Sequence, residues 1–135
     1  MKQTSLVTLN DIPKFAKQLA NTLKGGEILA LIGPLGAGKT TFAKALGKEL
    51  NIKHKITSPT FTLMHSFAAK LKQGKPATLY HLDLYRTKNF REAKALGLNE
   101  FWGQPRTVTL IEWADKIGRH LPKKTKKIIF TGHEK

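Results

Sequence analysis

Residues 27–41 read EILALIGPLGAGKTT, and this stretch decides the predicted fold. Its first part, Glu27–Ile32, is an apolar run of the kind that is buried on both faces of a sheet. The next part, Gly33–Thr40, fits the pattern G-x-x-x-x-G-K-[ST]. From Lys39 to about Leu50, apolar residues recur at helical spacing. Strand, glycine-rich turn and helix in this order are the context that a phosphate-binding loop requires.

Each part of the loop has a physical role in binding phosphate. Glycines permit backbone conformations closed to other residues, so that successive N–H groups can converge on phosphate oxygens. The helix that begins at Lys39 directs the positive end of its dipole at the same point. We expect Lys39 to reach the β- and γ-phosphates of a nucleotide and the Thr40 hydroxyl to ligate Mg²⁺. The predicted nucleotide contacts in this segment are Gly33, Leu35, Gly36, Ala37, Gly38, Lys39, Thr40 and Thr41. The alternative for Thr41 is an ordinary position in the first turn of the helix, without a contact to the nucleotide.

The composition is that of one soluble domain. The chain has 135 residues, 40% of them hydrophobic, which suits a single P-loop domain spanning residues 1–135. No apolar run approaches the ~20 residues of a membrane span, and the first residues lack the apolar core of a secretory signal. There is no cysteine, so disulfides and thiolate metal sites are excluded. We therefore expect a cytoplasmic protein without a membrane partner.

The chain is strongly basic, with a formal net charge of +15 at pH 7. Most of this charge is lysine spread along the sequence, with one cluster at Lys123, Lys124, Lys126 and Lys127. An excess of this size favours polyanionic partners such as nucleic acid. The alternative is a lysine-rich composition that only keeps the protein soluble, and the sequence does not decide between the two.

The remaining pattern predicts an α/β fold, because strand-like and helix-like segments alternate. Strands are expected at Leu6–Leu9, Glu27–Ile32, Phe61–Leu71, Thr78–Tyr85, Thr107–Trp113 and Lys127–Thr131. Helices are expected after a cap at Asn10 or Asp11, from Lys39 to about Leu50, at Asn89–Leu96 with Asn89 as cap, and at Ala114–Leu121. The close pair of strands in the middle of the chain indicates a mixed sheet.

Two acidic residues are candidates for the catalytic and metal-binding side of the site. Asp83 lies in the apolar strand Leu79–Arg86, and we interpret it as a metal-side carboxylate rather than an exposed edge residue. Period-2 alternation places His81 on the same face, where we interpret it as a hydrogen-bonded structural histidine. Glu112 ends the apolar run Val108–Ile111 and is expected to place the attacking water or support the metal. The alternative for Glu112 is a surface glutamate paired with a lysine.

Four motifs together resemble one protein family. They are GAGKTT at Gly36–Thr41, SPTFT at Ser58–Thr62, HLDLYR at His81–Arg86 and IEW at Ile111–Trp113. In this order they are similar to TsaE, also called YjeE, the bacterial ATPase family of tRNA threonylcarbamoyladenosine biosynthesis. The first motif alone is specific; the others gain their specificity from the order of the set.

The resemblance implies a P-loop three-layer α/β sandwich around a mixed sheet, with ATP and Mg²⁺ as ligands. It also implies slow, partner-stimulated hydrolysis that supports a TsaD–TsaB complex, which transfers a threonylcarbamoyl group to adenosine 37 of ANN-decoding tRNAs. Contact with tRNA is then expected through that complex. By position, the implied catalytic residues are Lys39, Asp83 and Glu112, and the implied metal ligands are Thr40, Thr60, Asp83 and Glu112. Thr60 lies in a segment that resembles a switch loop.

Trp113 stands where the family keeps a nucleotide-sensitive tryptophan, so it is a predicted nucleotide contact as well as a candidate core aromatic. Two positions depart from the family pattern. Pro34 replaces an acidic or amide residue, which should be harmless because that residue need not donate its N–H. The lysine-rich stretch after Leu121 carries no motif of the family, so its role is open.

Two other functions remain open at this point. A small-molecule kinase shares the loop, but it needs an acceptor pocket and usually a closing lid, for which 135 residues leave little room. A basic RNA-binding module with a vestigial loop accounts for the charge, but not for Lys39, Thr40, Asp83 and Glu112 occurring together. A GTPase is disfavoured, because neither an N-K-x-D nor a D-x-x-G motif follows the loop.

Overall fold

The computed structural model describes residues 4–34, 36–53, 64–85 and 87–132. The strands are β1 (Thr4–Val7), β2 (Glu27–Ile32), β3 (Met64–Lys70), β4 (Pro76–Asp83), β5 (Thr107–Glu112) and β6 (Lys126–Phe130). The α-helices are α1 (Ile12–Ala20), α2 (Lys39–Glu49), α3 (Phe90–Lys94) and α4 (Leu98–Phe101). Two 3₁₀ helices lie at Leu9–Asp11 and Ala114–His120.

One six-stranded sheet runs in the order β1-β6-β2-β5-β4-β3. Five strands are parallel, and β3 alone is antiparallel, paired with β4 across a short turn. The sheet is therefore mixed, as the sequence predicts. Because the parallel strands share one direction, the residues that follow β2, β4 and β5 meet at the carboxyl edge of the sheet, where ligands bind in open α/β folds.

Helices cover both faces of this sheet, which gives three layers. Strand β2 shows why: Leu29 and Leu31 face one core and Ile28 and Ala30 the other, as period-2 alternation requires. The first core packs α1 and α2 on the sheet; its buried residues include Ile12, Leu19, Leu29, Phe42, Leu46, Leu110 and Phe130. The second core lies under α3, α4 and the 3₁₀ helix Ala114–His120; it includes Ile28, Leu82, Leu84, Ala93, Leu98, Ile111 and Ile117.

The element boundaries differ from the sequence prediction in several places. The first strand ends at Val7, and Leu9 belongs to a 3₁₀ helix instead of a strand. Asp11 stands at the N-cap position of α1 as predicted, but its carboxylate accepts a hydrogen bond from Thr8 Oγ1 at 2.8 Å and makes no cap hydrogen bond to α1. The segment Ala114–His120 is a 3₁₀ helix. Trp113 before it takes a left-handed conformation, and β5 ends one residue earlier than predicted, at Glu112.

Strand β4 runs over Pro76–Asp83 instead of the predicted Thr78–Tyr85, and helix α4 was not predicted. The predicted cap of α3 is confirmed. Asn89 caps α3 through a hydrogen bond from the Glu92 N–H to its side-chain oxygen, at 3.1 Å. Strand β3 begins at Met64, and the first three positions of the strand predicted there lie outside the described residues. In the described parts of the chain, no helix combines the length and the apolar character needed to cross a membrane.

Candidate functional site

The loop between β2 and α2 depends on two glycines for different reasons. Gly38 precedes α2 with φ of 115°, and a Cβ there would lie 2.6 Å from Cδ1 of Ile12. Gly36 has φ of 80°, and a Cβ there would meet nothing within 4 Å. Backbone conformation and packing thus both require glycine at Gly38, whereas backbone conformation alone favours it at Gly36. Leu35, a predicted nucleotide contact, lies outside the described residues.

Lys39 is the first residue of α2, and its side chain is held inside the loop. The residue is 5% exposed, and its Nζ donates a hydrogen bond to the Gly33 carbonyl at 2.7 Å. The same Nζ lies 3.7 Å from the centroid of the Trp113 ring, within the range of a cation–π contact. Burial lowers the pKa of Lys39, and the carboxylates of Glu112 and Asp83 oppose that shift. A lysine that is buried here brings a cation to the end of the loop, beside the carboxylates of Glu112 and Asp83.

Asp83 and Glu112 end two neighbouring strands. They are direct partners in the register of β4 and β5, so both lie at the carboxyl edge beside the loop. Asp83 is partly exposed, and one of its oxygens accepts a hydrogen bond from the Tyr85 N–H at 2.9 Å. Burial raises the pKa of Asp83, and the Tyr85 hydrogen bond acts in the opposite direction. The alternative interpretation of Asp83, an exposed residue on an edge strand, is wrong, since β4 lies between β3 and β5.

Glu112 is buried and has a specific partner. It is 3% exposed, and its Oε2 lies 2.6 Å from Nε2 of His81, which is fully buried. The alternative interpretation, a surface glutamate paired with a lysine, is therefore wrong. The interpretation of His81 as a hydrogen-bonded structural residue is confirmed. The other ring nitrogen of His81, Nδ1, is buried without a hydrogen-bond partner among the described residues.

Trp113 forms one wall of this site. Its φ of 58° turns the chain out of β5, and its ring lies 5.0 Å from the ring of Tyr85, which is 57% exposed. Lys116 fixes the segment after Tyr85, since its Nζ donates to the carbonyls of Tyr85 and Thr87. Trp113 also packs at the margin of the second core, so the two interpretations of this residue are compatible. Trp113 was a predicted nucleotide contact, but neither its ring contact with Tyr85 nor the role of Lys116 was predicted from the sequence.

The structure thus brings most of the predicted site residues to one edge of the sheet. Lys39, Asp83, Glu112 and Trp113 surround the end of the loop. The other described residues of the predicted phosphate loop run from the end of β2 through the first turn of α2. They are Gly33, Gly36, Ala37, Gly38, Thr40 and Thr41. Ser58–Thr62, which includes Thr60, and Arg86 lie outside the described residues.

The donor set at this edge fits Mg²⁺ bound together with phosphate. Within the described ranges, no group of three or more histidine and carboxylate side chains could hold a metal ion by itself. Mg²⁺ does not need such a group, since it keeps several waters and binds one or two carboxylates plus phosphate oxygens. Asp83, with its partly exposed carboxylate, and the Thr40 hydroxyl supply oxygen donors of this type.

Fold and site together define a protein of the P-loop NTPase-like α/β class. The family model described as "Threonylcarbamoyl adenosine biosynthesis protein TsaE" matches residues 6–135. The chain belongs to the TsaE family, as the four sequence motifs predicted.

Individual relatives agree with the family assignment. The tRNA threonylcarbamoyladenosine biosynthesis protein TsaE of Aquifex aeolicus is 39% identical over 118 residues, which cover 86% of this chain and 79% of that protein. Its counterpart in Bacillus subtilis is 39% identical over 132 residues, covering 96% of this chain and 78% of that protein. The crystal structure of Bacillus subtilis YdiB matches with a TM-score of 0.64 at 35% identity, covering 91% and 71% of the two chains.

Proposed function

We propose that this protein binds Mg²⁺ and ATP at the carboxyl edge of its sheet and hydrolyses ATP slowly. The observation that carries the proposal is the position of Lys39. Its buried ammonium stands at the start of α2, at the end of a glycine loop, and faces the carboxylates of Glu112 and Asp83. Membership of the TsaE family gives the role of this activity, which is threonylcarbamoyladenosine biosynthesis in tRNA.

Binding of the triphosphate is assigned to the loop and to Lys39. An ammonium group has three hydrogen-bond donors, so Lys39 can exchange the Gly33 carbonyl for phosphate oxygens. The backbone N–H groups of the loop and the start of α2 add donors of fixed direction. Since these groups are set in place by packing, they need little reorganisation when the ligand arrives.

The carboxylates are assigned to the metal and to water. Thr40 and Asp83 would hold Mg²⁺, which neutralises the negative charge of the phosphates when it is bound. Glu112 places the attacking water, because His81 fixes one of its oxygens and the other can accept a hydrogen bond. Attack of the water oxygen on the γ-phosphorus breaks the bond to the β–γ bridging oxygen, giving ADP and phosphate.

The partner of this activity is proposed to be a TsaD–TsaB-like complex in the cytoplasm. In this scheme the complex transfers a threonylcarbamoyl group to adenosine 37 of tRNAs that decode ANN codons, and ATP hydrolysis here supports repeated turnover. The family description and the relatives' names, which specify tRNA threonylcarbamoyladenosine biosynthesis, support this assignment. Release of the γ-phosphate would then relax the loop Ser58–Thr62, as in other switch loops.

Nucleotide titration tests the proposal, with Trp113 as the reporter. Displacement of the Lys39 ammonium from the Trp113 ring should change the fluorescence of Trp113. Trp102, the other tryptophan of the chain, is replaced by phenylalanine so that the signal has one source. ATP and GTP are titrated with and without Mg²⁺, and phosphate release is followed in parallel, first alone and then with TsaD–TsaB and tRNA.

Lys39→Ala and Lys44→Ala make a matched pair on α2. We expect Lys39→Ala to weaken ATP binding by roughly 10- to 100-fold, because hydrogen bonds to charged groups contribute about 1.5–3 kcal/mol. Lys44 is exposed on the same helix, and its substitution should leave ATP binding unchanged. Equal ATP affinity in the two variants would refute the proposed site. A Glu112→Gln protein that binds and hydrolyses ATP as the wild type does would remove only the water-placing role.

A further inference from the structure

The amino edge of the sheet, opposite the nucleotide site, carries two adjoining grooves. They occur where the chain enters β2, β4, β5 and β6, and they have volumes of about 650 and 700 Å³. Both are lined by Gly25, Gly26 and Gly103. We call the cationic side chains that line them the basic edge: Lys24, Lys75 and Arg106 in the first groove, and Lys123, Lys124 and Lys126 in the second.

Charges of opposite sign are separated between the two edges. Among the described residues that line the grooves, Glu27 is the one carboxylate, and both of its oxygens are engaged by the backbone N–H groups of Lys24 and Gly25, at 2.9 and 2.8 Å. Asp83 and Glu112, by contrast, lie at the carboxyl edge. No carboxylate that lines the grooves among the described residues is therefore left to neutralise Lys24, Lys75 and Lys124.

The cations of the basic edge are accessible. Lys24, Lys75 and Lys124 are exposed and take part in no ion pair of the described residues. By contrast, Lys72 is paired with Glu49, and His81 lies against Glu112. Three exposed lysines without acidic partners are free to contact the phosphates of a ligand.

The backbone beneath these side chains is fixed. Arg106 has φ of 63°, which is uncommon for a residue other than glycine, and its carbonyl accepts a hydrogen bond from the Thr78 N–H at 2.8 Å. Gly25 packs closely on Arg106, because a Cβ added at Gly25 would lie 2.9 Å from the backbone nitrogen of Arg106. The Gly26 N–H donates to the Thr107 carbonyl beside them. Segments that are distant in the sequence are thus held together, and their cations lie along one surface.

We propose that the basic edge binds the phosphate backbone of tRNA directly. This inference rests on the proposed function, and it adds a tRNA contact made by this chain itself at a surface separate from the ATP site. Concave grooves lined by several cations suit a polyphosphate backbone, which they position without reading its bases. Trp102, half-buried in the second groove, offers an aromatic surface on which an unpaired base can stack.

The same surface fits an anionic membrane less well. Membrane-surface binding needs apolar side chains that enter the lipid in addition to cations. The exposed large hydrophobic residues of the described chain are Leu6, Leu9 and Tyr85, and none of them lines either groove. We therefore assign the basic edge to RNA.

The test compares two variants of equal charge. One is Lys24→Gln/Lys75→Gln/Lys124→Gln in the basic edge. The control is Lys14→Gln/Lys17→Gln/Lys44→Gln, three exposed lysines on α1 and α2. Binding of a fluorescein-labelled, unmodified tRNA transcript is measured by anisotropy over a range of salt concentrations. ATP titration of both variants verifies that each is folded and that its nucleotide site is intact.

We expect the basic-edge variant to bind the transcript roughly tenfold or more weakly at about 0.1 M salt. The slope of log affinity against log salt should fall by about 2–3, because each lost phosphate contact removes about 0.7–0.9. The control should lose less than about one unit of slope. Equal losses in both variants would show that only net charge matters and would overturn the inference.

Two further outcomes would also overturn it. One is that the wild-type protein does not bind the transcript. The other is that vesicles containing an anionic phospholipid bind through the basic edge in place of tRNA.

Lys39→Ala, measured in parallel, separates this inference from the proposed function. If Lys39→Ala weakens ATP binding but the basic-edge substitutions do not weaken tRNA binding, only the inference fails. If Lys39→Ala leaves ATP binding unchanged, the proposed function fails.

Discussion

The two edges of the sheet use charge in opposite ways. At the carboxyl edge the charged groups are few and have defined partners, as Lys39 on the Gly33 carbonyl and Glu112 on His81 show. At the basic edge the cations are many and mostly exposed. Buried charges lose hydration and need exact partners, whereas exposed charges act at longer range and tolerate movement. Single substitutions should therefore have large effects at the carboxyl edge and small, roughly additive effects at the basic edge.

The largest expected effect comes from the backbone of the phosphate loop. We expect Gly38→Ala to lower the free energy of unfolding by roughly 2–5 kcal/mol. A left-handed residue other than glycine costs about 1–2 kcal/mol, and overpacking costs about 1–3 more. The new Cβ would meet Ile12 Cδ1 at 2.6 Å. Urea unfolding of the protein without nucleotide measures the change.

Gly36→Ala is the matched control in the same loop. It carries the backbone cost but meets no atom within 4 Å, so we expect a loss of about 1 kcal/mol. If the Gly38→Ala and Gly36→Ala proteins had the same free energy of unfolding, packing against Ile12 would not be the reason for glycine before α2. The carboxyl edge would then tolerate substitution as the basic edge is expected to.

The next effect concerns the buried pair of His81 and Glu112. His81→Leu should lower the free energy of unfolding by roughly 1–3 kcal/mol, because it leaves a buried carboxylate without its hydrogen-bond partner. His81→Gln can place an amide N–H near the position of Nε2 and should recover part of the loss. His81→Asn places its amide near Nδ1 instead and should resemble leucine.

Measurements on the three variants separate hydrogen bonding from packing. Urea unfolding gives the stability, and phosphate release at saturating ATP reports whether Glu112 still places water. A glutamine variant no better than leucine in both measurements would mean that the shape of the imidazole, rather than its hydrogen bond to Glu112, is what the site requires.

The smallest effect is a pH dependence at Asp83. Burial raises the pKa of this carboxyl in the folded protein, so its charged form destabilises the fold at neutral pH. Asp83→Asn should therefore raise the midpoint of thermal unfolding slightly at pH 7 in the absence of nucleotide. As the pH falls through the raised pKa, the wild-type carboxyl is protonated and the difference should close. If the difference in unfolding midpoint between Asp83→Asn and the wild type persisted or grew in acid, the predicted direction of the pH dependence would be contradicted.

The sequence predicted the carboxyl edge well where its signals are local. The spacing within Gly33–Thr40 sets both the turn and the helix start. The strand pattern around Asp83 predicted a strand there, although that strand ends at Asp83 and not at Tyr85. The bond between His81 and Glu112 was not predictable in the same way, because it requires β4 and β5 to be neighbours. Strand order depends on packing of the whole sheet.

The basic edge shows the same limit more strongly. The sequence revealed the lysine cluster that begins at Lys123, but not that Lys24, Lys75 and Arg106 lie beside it. Crossover connections between parallel strands bring these positions together. The left-handed turn at Trp113 was also missed, since no glycine or asparagine marks it.

The hydrogen bond from Lys39 to Gly33 gives the loop its own competitor for ligands. The Gly33 carbonyl belongs to the same loop as the lysine, so its effective concentration is high, and an incoming oxygen competes with it for the Lys39 ammonium. A lone phosphate would gain little from this competition. A polyphosphate would bring several linked oxygens, whose additional contacts with the loop amides would offset it. If the loop binds phosphate as proposed, it should therefore discriminate between ligands by the number of phosphates that they carry.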